Sequence, residues 1–215
     1  MHSTKRFLLK KGLGLTCVTN TQCKTSCLSA MFQLPLDSEG RSLSALLPYV
    51  LRVSCRDFPG QQAVAAQLDE LYGARVEPII RKRGEAQLIG FAADVIDEHF
   101  AMRGDTGLFA NTAQMMARIL LHPGEFTAEN VAREAAQLCA RIAALPDDKR
   151  TWAVRRMYQH LCDEEAFRLV ELGDIEEIRR AAPEQLMAHY QNILQTAPLE
   201  LFYCGSLDAD QAAQQ

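Results

Sequence analysis

The chain has 215 residues, of which 48% are aliphatic, aromatic or cysteine and 23% are charged, with a formal net charge of −4. A chain of this length buries most of its apolar surface, so a globular fold of one large domain or two small ones is expected and a disordered polymer is excluded. The Arg155-Arg156 and Arg179-Arg180 pairs sit among acidic neighbours, which leaves no basic stripe for nucleic acid, and no apolar run approaches the roughly 20 residues that span a bilayer.

The opening MHSTKRFLLKKGLGL carries early cations, but Lys10, Lys11 and two glycines break its apolar pieces, which makes it a poor signal peptide. Residues 13–19 and 23–32 are rich in Thr, Val, Leu and Cys around Asn20-Thr21-Gln22 and read as a strand pair. Leu34-Pro35-Leu36-Asp37 and Glu39-Gly40 end the second strand. The stretch SALLPYVLRVSCRDFP, 44–59, then reads as a helix with Pro48 inside it: Leu43, Leu46, Leu47, Val50 and Leu51 recur at the spacings that pack a helix on a core. After Pro59-Gly60, the spacing of Val64, Leu68, Leu71 and Tyr72 predicts a second helix closed by Gly73.

Residues 75–81 and 87–95 are two extended runs joined as a hairpin at Arg83-Gly84-Glu85. From there the period becomes helical. One helix covers 113–121 and stops at His122-Pro123-Gly124, and a longer one follows Thr127 with Val131, Ala135, Leu138, Ile142 and Leu145 on one face before Pro146. Asp147-Asp148 caps a third helix on which Val154, Met157, Tyr158 and Leu161 align. Pro183 suits the first turn of a last helix, 184–195, and 199–204 is a closing strand. Strands at both ends with helices massed between them predict an α+β fold, a mostly antiparallel sheet packed against a layer of helices. Residues 1–205 are expected to form a single domain, with 206–215 as a polar tail.

Seven scattered cysteines with no C-x-x-C pair favour reduced, mostly buried thiols and a cytoplasmic location over a disulfide framework or a zinc ribbon. Cys23 and Cys27, four apart, would point to the same face of an extended segment, where a structural role outweighs metal binding. A zinc peptidase needs two histidines one helical turn apart and a carboxylate to activate water, hence H-E-x-x-H or its inverse H-x-x-E-H. Neither occurs. Val95-Ile96-Asp97-Glu98-His99 shares only the last two letters of the inverse motif, and His2, His122, His160 and His189 are isolated and read as surface or capping residues. There is no G-x-S-x-G and no Gly-rich phosphate loop; Gly104 and Gly107 merely flank a turn. Asp163-Glu164-Glu165 and Asp174, Glu176 and Glu177 read as favourable first-turn charges rather than cation ligands.

The segments PLDSEGRSLSALLPYVLRVSCRDFP, LDELYGARVEPIIRKRGE, GEFTAENVAREAAQLCARIAALPDDKRTWAVRRMYQHLC and LGDIEEIRRAAPEQLMAHYQNIL, with the strand LELFYCGSLD, run nearly the whole length. Together they resemble the insulinase/pitrilysin-like zinc metallopeptidases, and more closely their bacterial non-catalytic subunits. In catalytic members of that family the helix after the first strands carries H-x-x-E-H, followed by a Gly-Thr turn. Setting that turn on Ser54-Cys55 puts the motif on Ala45, Leu46, Leu47, Pro48 and Tyr49, so the resemblance implies that both histidine ligands and the base are gone. The third ligand, a glutamate on the long later helix, falls near Ala132, with Glu129 and Glu134 as neighbours.

The resemblance also implies a peptide-binding edge strand, G-x-x-x-N-A in catalytic relatives. Here it reads Gly73-Ala74-Arg75-Val76-Glu77-Pro78, which makes Glu77, Pro78 and Ile79 the candidate edge and costs it one rung at Pro78. Family chains usually carry two similar halves that enclose a chamber with a partner, and this chain ends where the first half would. The implied function is therefore a non-catalytic subunit without cofactor, zinc residing only in a catalytic homologous partner, with self-association and an extended peptide as further partners. The alternatives are an active zinc endopeptidase built on residues such as His99 and Glu134, or a free-standing peptide-binding scaffold.

Overall fold

The computed structural model describes residues 3–102 and 105–215; His2 and Gly104 lie outside the described residues. Six strands, β1 (Ser3–Lys10), β2 (Leu13–Thr19), β3 (Thr25–Pro35), β4 (Arg75–Arg83), β5 (Ala86–Ile96) and β6 (Leu199–Gly205), form one sheet in the order β1-β2-β6-β3-β5-β4. All neighbours are antiparallel except β2 and β6, which run parallel. The helices are α1 (Arg41–Val53), α2 (Gln61–Glu70), α3 (Leu108–Leu121), α4 (Ala128–Ala143), α5 (Lys149–Leu161), α6 (Ile175–Arg179), α7 (Pro183–Thr196) and α8 (Ala209–Gln214). This is the expected α+β architecture. Among the described residues no helix is long and apolar enough to cross a membrane.

One sheet face builds the core. Leu15 and Cys17 of β2, Leu28, Ala30 and Phe32 of β3, Ile89, Phe91, Ala93 and Val95 of β5 and Tyr203 of β6 are buried, each two residues from the next as strand geometry requires. Against them lies α1, with Leu46, Leu47, Val50 and Leu51 buried as their spacing predicts. Fully burying a leucine is worth about 1.5–3 kcal/mol, so this one helix is a major stabilising element. The caps expected at Thr127 and Asp148 are present: Thr127 Oγ1 accepts the Asn130 N–H and Asp148 the Thr151 N–H. The hairpin at Gly84 joins β4 to β5.

Three expectations are corrected, and the outward face of one expected helix is added. Residues 13–19 and 23–32 are not a strand pair, because β6 inserts between β2 and β3 and bonds to both. The segment 3–10, read only as a poor leader, is the edge strand β1; its alternating polar and apolar residues fit an exposed edge, and it closes on β2 through a turn at Gly12. The polar tail contains α8, capped by a reciprocal pair between Asp208 and Gln211 and seated on Ala209 and Ala212, which are buried. On α5 the aligned Val154, Met157, Tyr158 and Leu161 face outward, and none of the helix's residues is buried. Of the seven cysteines three are buried, Cys17, Cys55 and Cys139, while Cys23 is exposed.

Candidate functional site

Helix α1 places the five positions implied by the resemblance in the core. Ala45, Leu46, Leu47 and Pro48 are buried and Tyr49 is half-buried. None but Tyr49 has a side-chain atom able to coordinate a cation, and its ring instead carries the Arg141 guanidinium of α4 at 4.7 Å. Pro48 lies inside the helix, where it removes the N–H that would bond the Ser44 carbonyl.

Along α4, Ala132 is exposed and lines a groove of about 470 Å³ with Ile175, Arg179 and Pro183. Glu134, by contrast, is buried and pairs with Arg133 at 3.1 Å. It stands seven residues before Arg141, two helical turns, and so shares the face that α4 turns to α1. Glu129 is exposed. His99 is exposed as well, its Nδ1 2.6 Å from Oδ1 of the buried Asp97. The residues present do not fit a zinc ion: the two histidine positions and the base position offer no nitrogen or carboxylate, and the one carboxylate on the facing helix side is already paired. Among the described residues no group of three or more His, Cys, Asp or Glu side chains is placed to hold a metal.

What α1 does have is a set of polar pins. Ser42 Oγ donates to the Glu177 carboxylate and accepts the Asp174 N–H at 2.9 Å, tying the helix start to α6. Ser44 Oγ lies 2.8 Å from His189 Nε2, tying it to α7. Sequence reasoning missed both, since partners 135 and 145 positions apart leave no local spacing.

Burial pushes His189 below its ordinary value, partly opposed by Asp37. As pH falls through the unfolded value near 6.5, the unfolded chain therefore takes up a proton before the folded one. Stability is expected to decline from about pH 7 toward pH 5, and His189→Gln should flatten that slope in thermal melts at the two pH values. Burial pushes Asp97 up, but hydrogen bonds from Ser206 and from the His99 backbone and ring outweigh it and hold the carboxyl below the usual range. Its contribution is present above about pH 4 and is lost on further acidification.

Strand β4 is the second candidate: among the described residues it pairs only with β5, which leaves its other edge free. Gln33 donates to Pro198, its direct partner across the β3/β6 pair. Antiparallel bonding alternates, so counting outward from that bond gives β4's odd residues to β5 and its even residues to the free edge. Glu77 and Ile79 thus bond inward, and the edge is built from Val76, Pro78 and Ile80. Pro78 offers a carbonyl and no donor. Beside it, a cleft of about 240 Å³ between α2 and β4 is lined by Val64, Leu68, Val76 and Glu77, and Arg52 from α1 reaches Glu77 at 2.7 Å.

No family model matches the sequence. The chain is 30% identical over 204 residues to a curated protein of Bacillus subtilis (strain 168) named "Probable inactive metalloprotease YmfF", covering 93% of this chain and 48% of that protein. Its fold matches a peptidase M16 inactive domain from Pseudomonas fluorescens with a TM-score of 0.73 at 15% identity, covering 99% of this chain and 48% of the other. Over nearly its whole length the chain is thus similar to a protein named as a probable inactive metalloprotease, and it shares the fold of M16-like peptidase domains. A conserved protein from Enterococcus faecalis V583 shares the M16-like fold described here with a TM-score of 0.86 at 22% identity, over 97% of this chain and 50% of its own. The chain thus spans about half the length of the relatives it matches.

Proposed function

We propose that this M16-like chain belongs to a non-catalytic subunit, to which it contributes one peptidase-like unit, and that the subunit pairs with a zinc-bearing homologue and helps to enclose its peptide-processing chamber. The observation that carries the reading is α1: its apolar face packs on the core while its motif positions Ala45, Leu46, Leu47, Pro48 and Tyr49 hold no ligand and no base. Ala132, exposed on α4, adds none, and a relative named a probable inactive metalloprotease supports the same reading. Zinc belongs to the partner, and this chain contributes wall rather than chemistry. Strand-type capture of peptide is weak at Pro78, so substrate is held by the partner's edge. Seven free thiols favour the cytoplasm.

Affinity capture of the tagged chain from its native host, followed by mass spectrometry, tests the pairing. The expected co-purifying protein is a homologue containing H-x-x-E-H in near-equal amount. Recovery of the chain alone, or only with itself, would favour a free-standing peptide-binding scaffold and overturn the heteromeric reading.

A further inference from the structure

On the sheet face turned away from the helices, three groups line up across adjacent strands: Cys204 of β6 and Asp94 of β5 both stand directly opposite Cys27 of β3. Ser26 and Leu28 flank Cys27 and are buried on the inner face, which puts the row on the outer one. Cys27 and Cys204 fall on the hydrogen-bonded pairs of the ladder by the alternation that starts at Gln33 and Pro198. Cα atoms of such a pair are about 5.5 Å apart, inside the roughly 4.4–6.8 Å that a disulfide spans. Cys23, exposed just before β3, accepts a hydrogen bond from Asn20 Nδ2 at 3.3 Å, and Asn20 in turn donates its backbone N–H to the Gly205 carbonyl at 2.7 Å, which sets Cys23 beside the end of β6 that carries Cys204.

We propose that Cys27 and Cys204 are an oxidation site, joined by a disulfide-class oxidant such as glutathione disulfide into a cross-strand bond that staples β3 to β6, with Cys23 as the entry thiol. Cys27 and Cys204 are half-exposed, and burial raises both thiols, Cys27 to about 11 with Asp94 and Cys204 adding to it, so neither reacts readily on its own at neutral pH. The exposed Cys23 thiolate attacks one sulfur of the oxidant; the S–S bond breaks, and one glutathione leaves and takes up a proton. Cys204 attacks the Cys23 sulfur and expels the second glutathione, then Cys27 attacks Cys204 and returns Cys23 as a thiol. Two protein thiols are oxidised by two electrons while one glutathione disulfide is reduced to two glutathiones.

The bond would close a loop from residue 27 to residue 204 across the two central strands. A loop that long is expected to raise Tm by about 5 °C or more, reversibly with dithiothreitol. The test incubates the purified full chain with glutathione disulfide, alkylates it, and maps unreduced tryptic peptides. The expected product links 25–41 to 181–215 and leaves five of the seven thiols titratable. Cys27→Ser should abolish that link, and Cys23→Ser should give the same link more slowly. An end product linking 12–24 to 181–215, glutathione adducts alone, or seven free thiols would each overturn the pair. An unchanged rate in Cys23→Ser would overturn the entry thiol.

Discussion

The triple variant A45H/P48E/Y49H, which writes H-x-x-E-H into α1, is expected to show no peptidase activity with added zinc and to melt about 10 °C below the parent. Positions 45 and 48 are buried in the core, so an imidazole and a carboxylate there must be desolvated, at about 1–3 kcal/mol for each unsatisfied group. Histidine at fully buried Ala45 also overpacks its surroundings, at about 1–3 kcal/mol more. Loss of the Tyr49 ring removes the seat of Arg141, while removal of Pro48 returns one helix bond and recovers a little. A net loss of about 4 kcal/mol is a large share of the roughly 5–15 kcal/mol of a typical domain. Activity stays absent because Ala132 is exposed on the outer face of α4, Glu134 is held by Arg133, and nothing orients the new imidazoles. Turnover of a peptide library above the parent's background would mean that α1 is a competent site lacking only its ligands.

Gly90→Ala is expected to cost about 3–5 kcal/mol and to appear as a sharp fall in the urea midpoint or as insoluble protein. Gly90 of β5 faces Met31 of β3 in the middle of the sheet, and a Cβ built there would lie 1.9 Å from the Ala30 carbonyl oxygen. That oxygen belongs to backbone, so relief requires β3 and β5 to separate at the pair that anchors the sheet. Gly84→Ala in the β4–β5 turn is the comparison: its φ is positive, at 56°, as is that of Gly90, at 156°, but nothing lies within 4 Å of the added carbon. Conformational strain alone sets its cost, about 1 kcal/mol. Equal losses in the two variants would show that the close approach at Gly90 is absent.

Features with local causes were legible in the sequence. The stripe on α1, the caps at Thr127 and Asp148 and the turn at Gly84 each depend on residues within a few positions of one another. Strand β6 was visible as a strand but not as the one between β2 and β3, because its neighbours lie some 180 residues upstream and no period encodes that pairing. On α5, periodicity announced an amphipathic helix correctly, yet a period cannot say whether the stripe meets a core or solvent. The absence of zinc-binding residue types in α1 could be read directly, whereas the five motif positions rest on resemblance. The parity of β4, which turns Val76, Pro78 and Ile80 rather than Glu77 and Ile79 to the free edge, needed the whole ladder from β6 outward.

Zinc content of the chain purified without chelators tests the central claim most directly. A helix kept for packing, with alanine and proline where ligands and base would stand, predicts well under one zinc per chain and the same value in His99→Ala. Stoichiometric zinc that disappears in His99→Ala would contradict the account, since the chain would then carry a metal centre of its own.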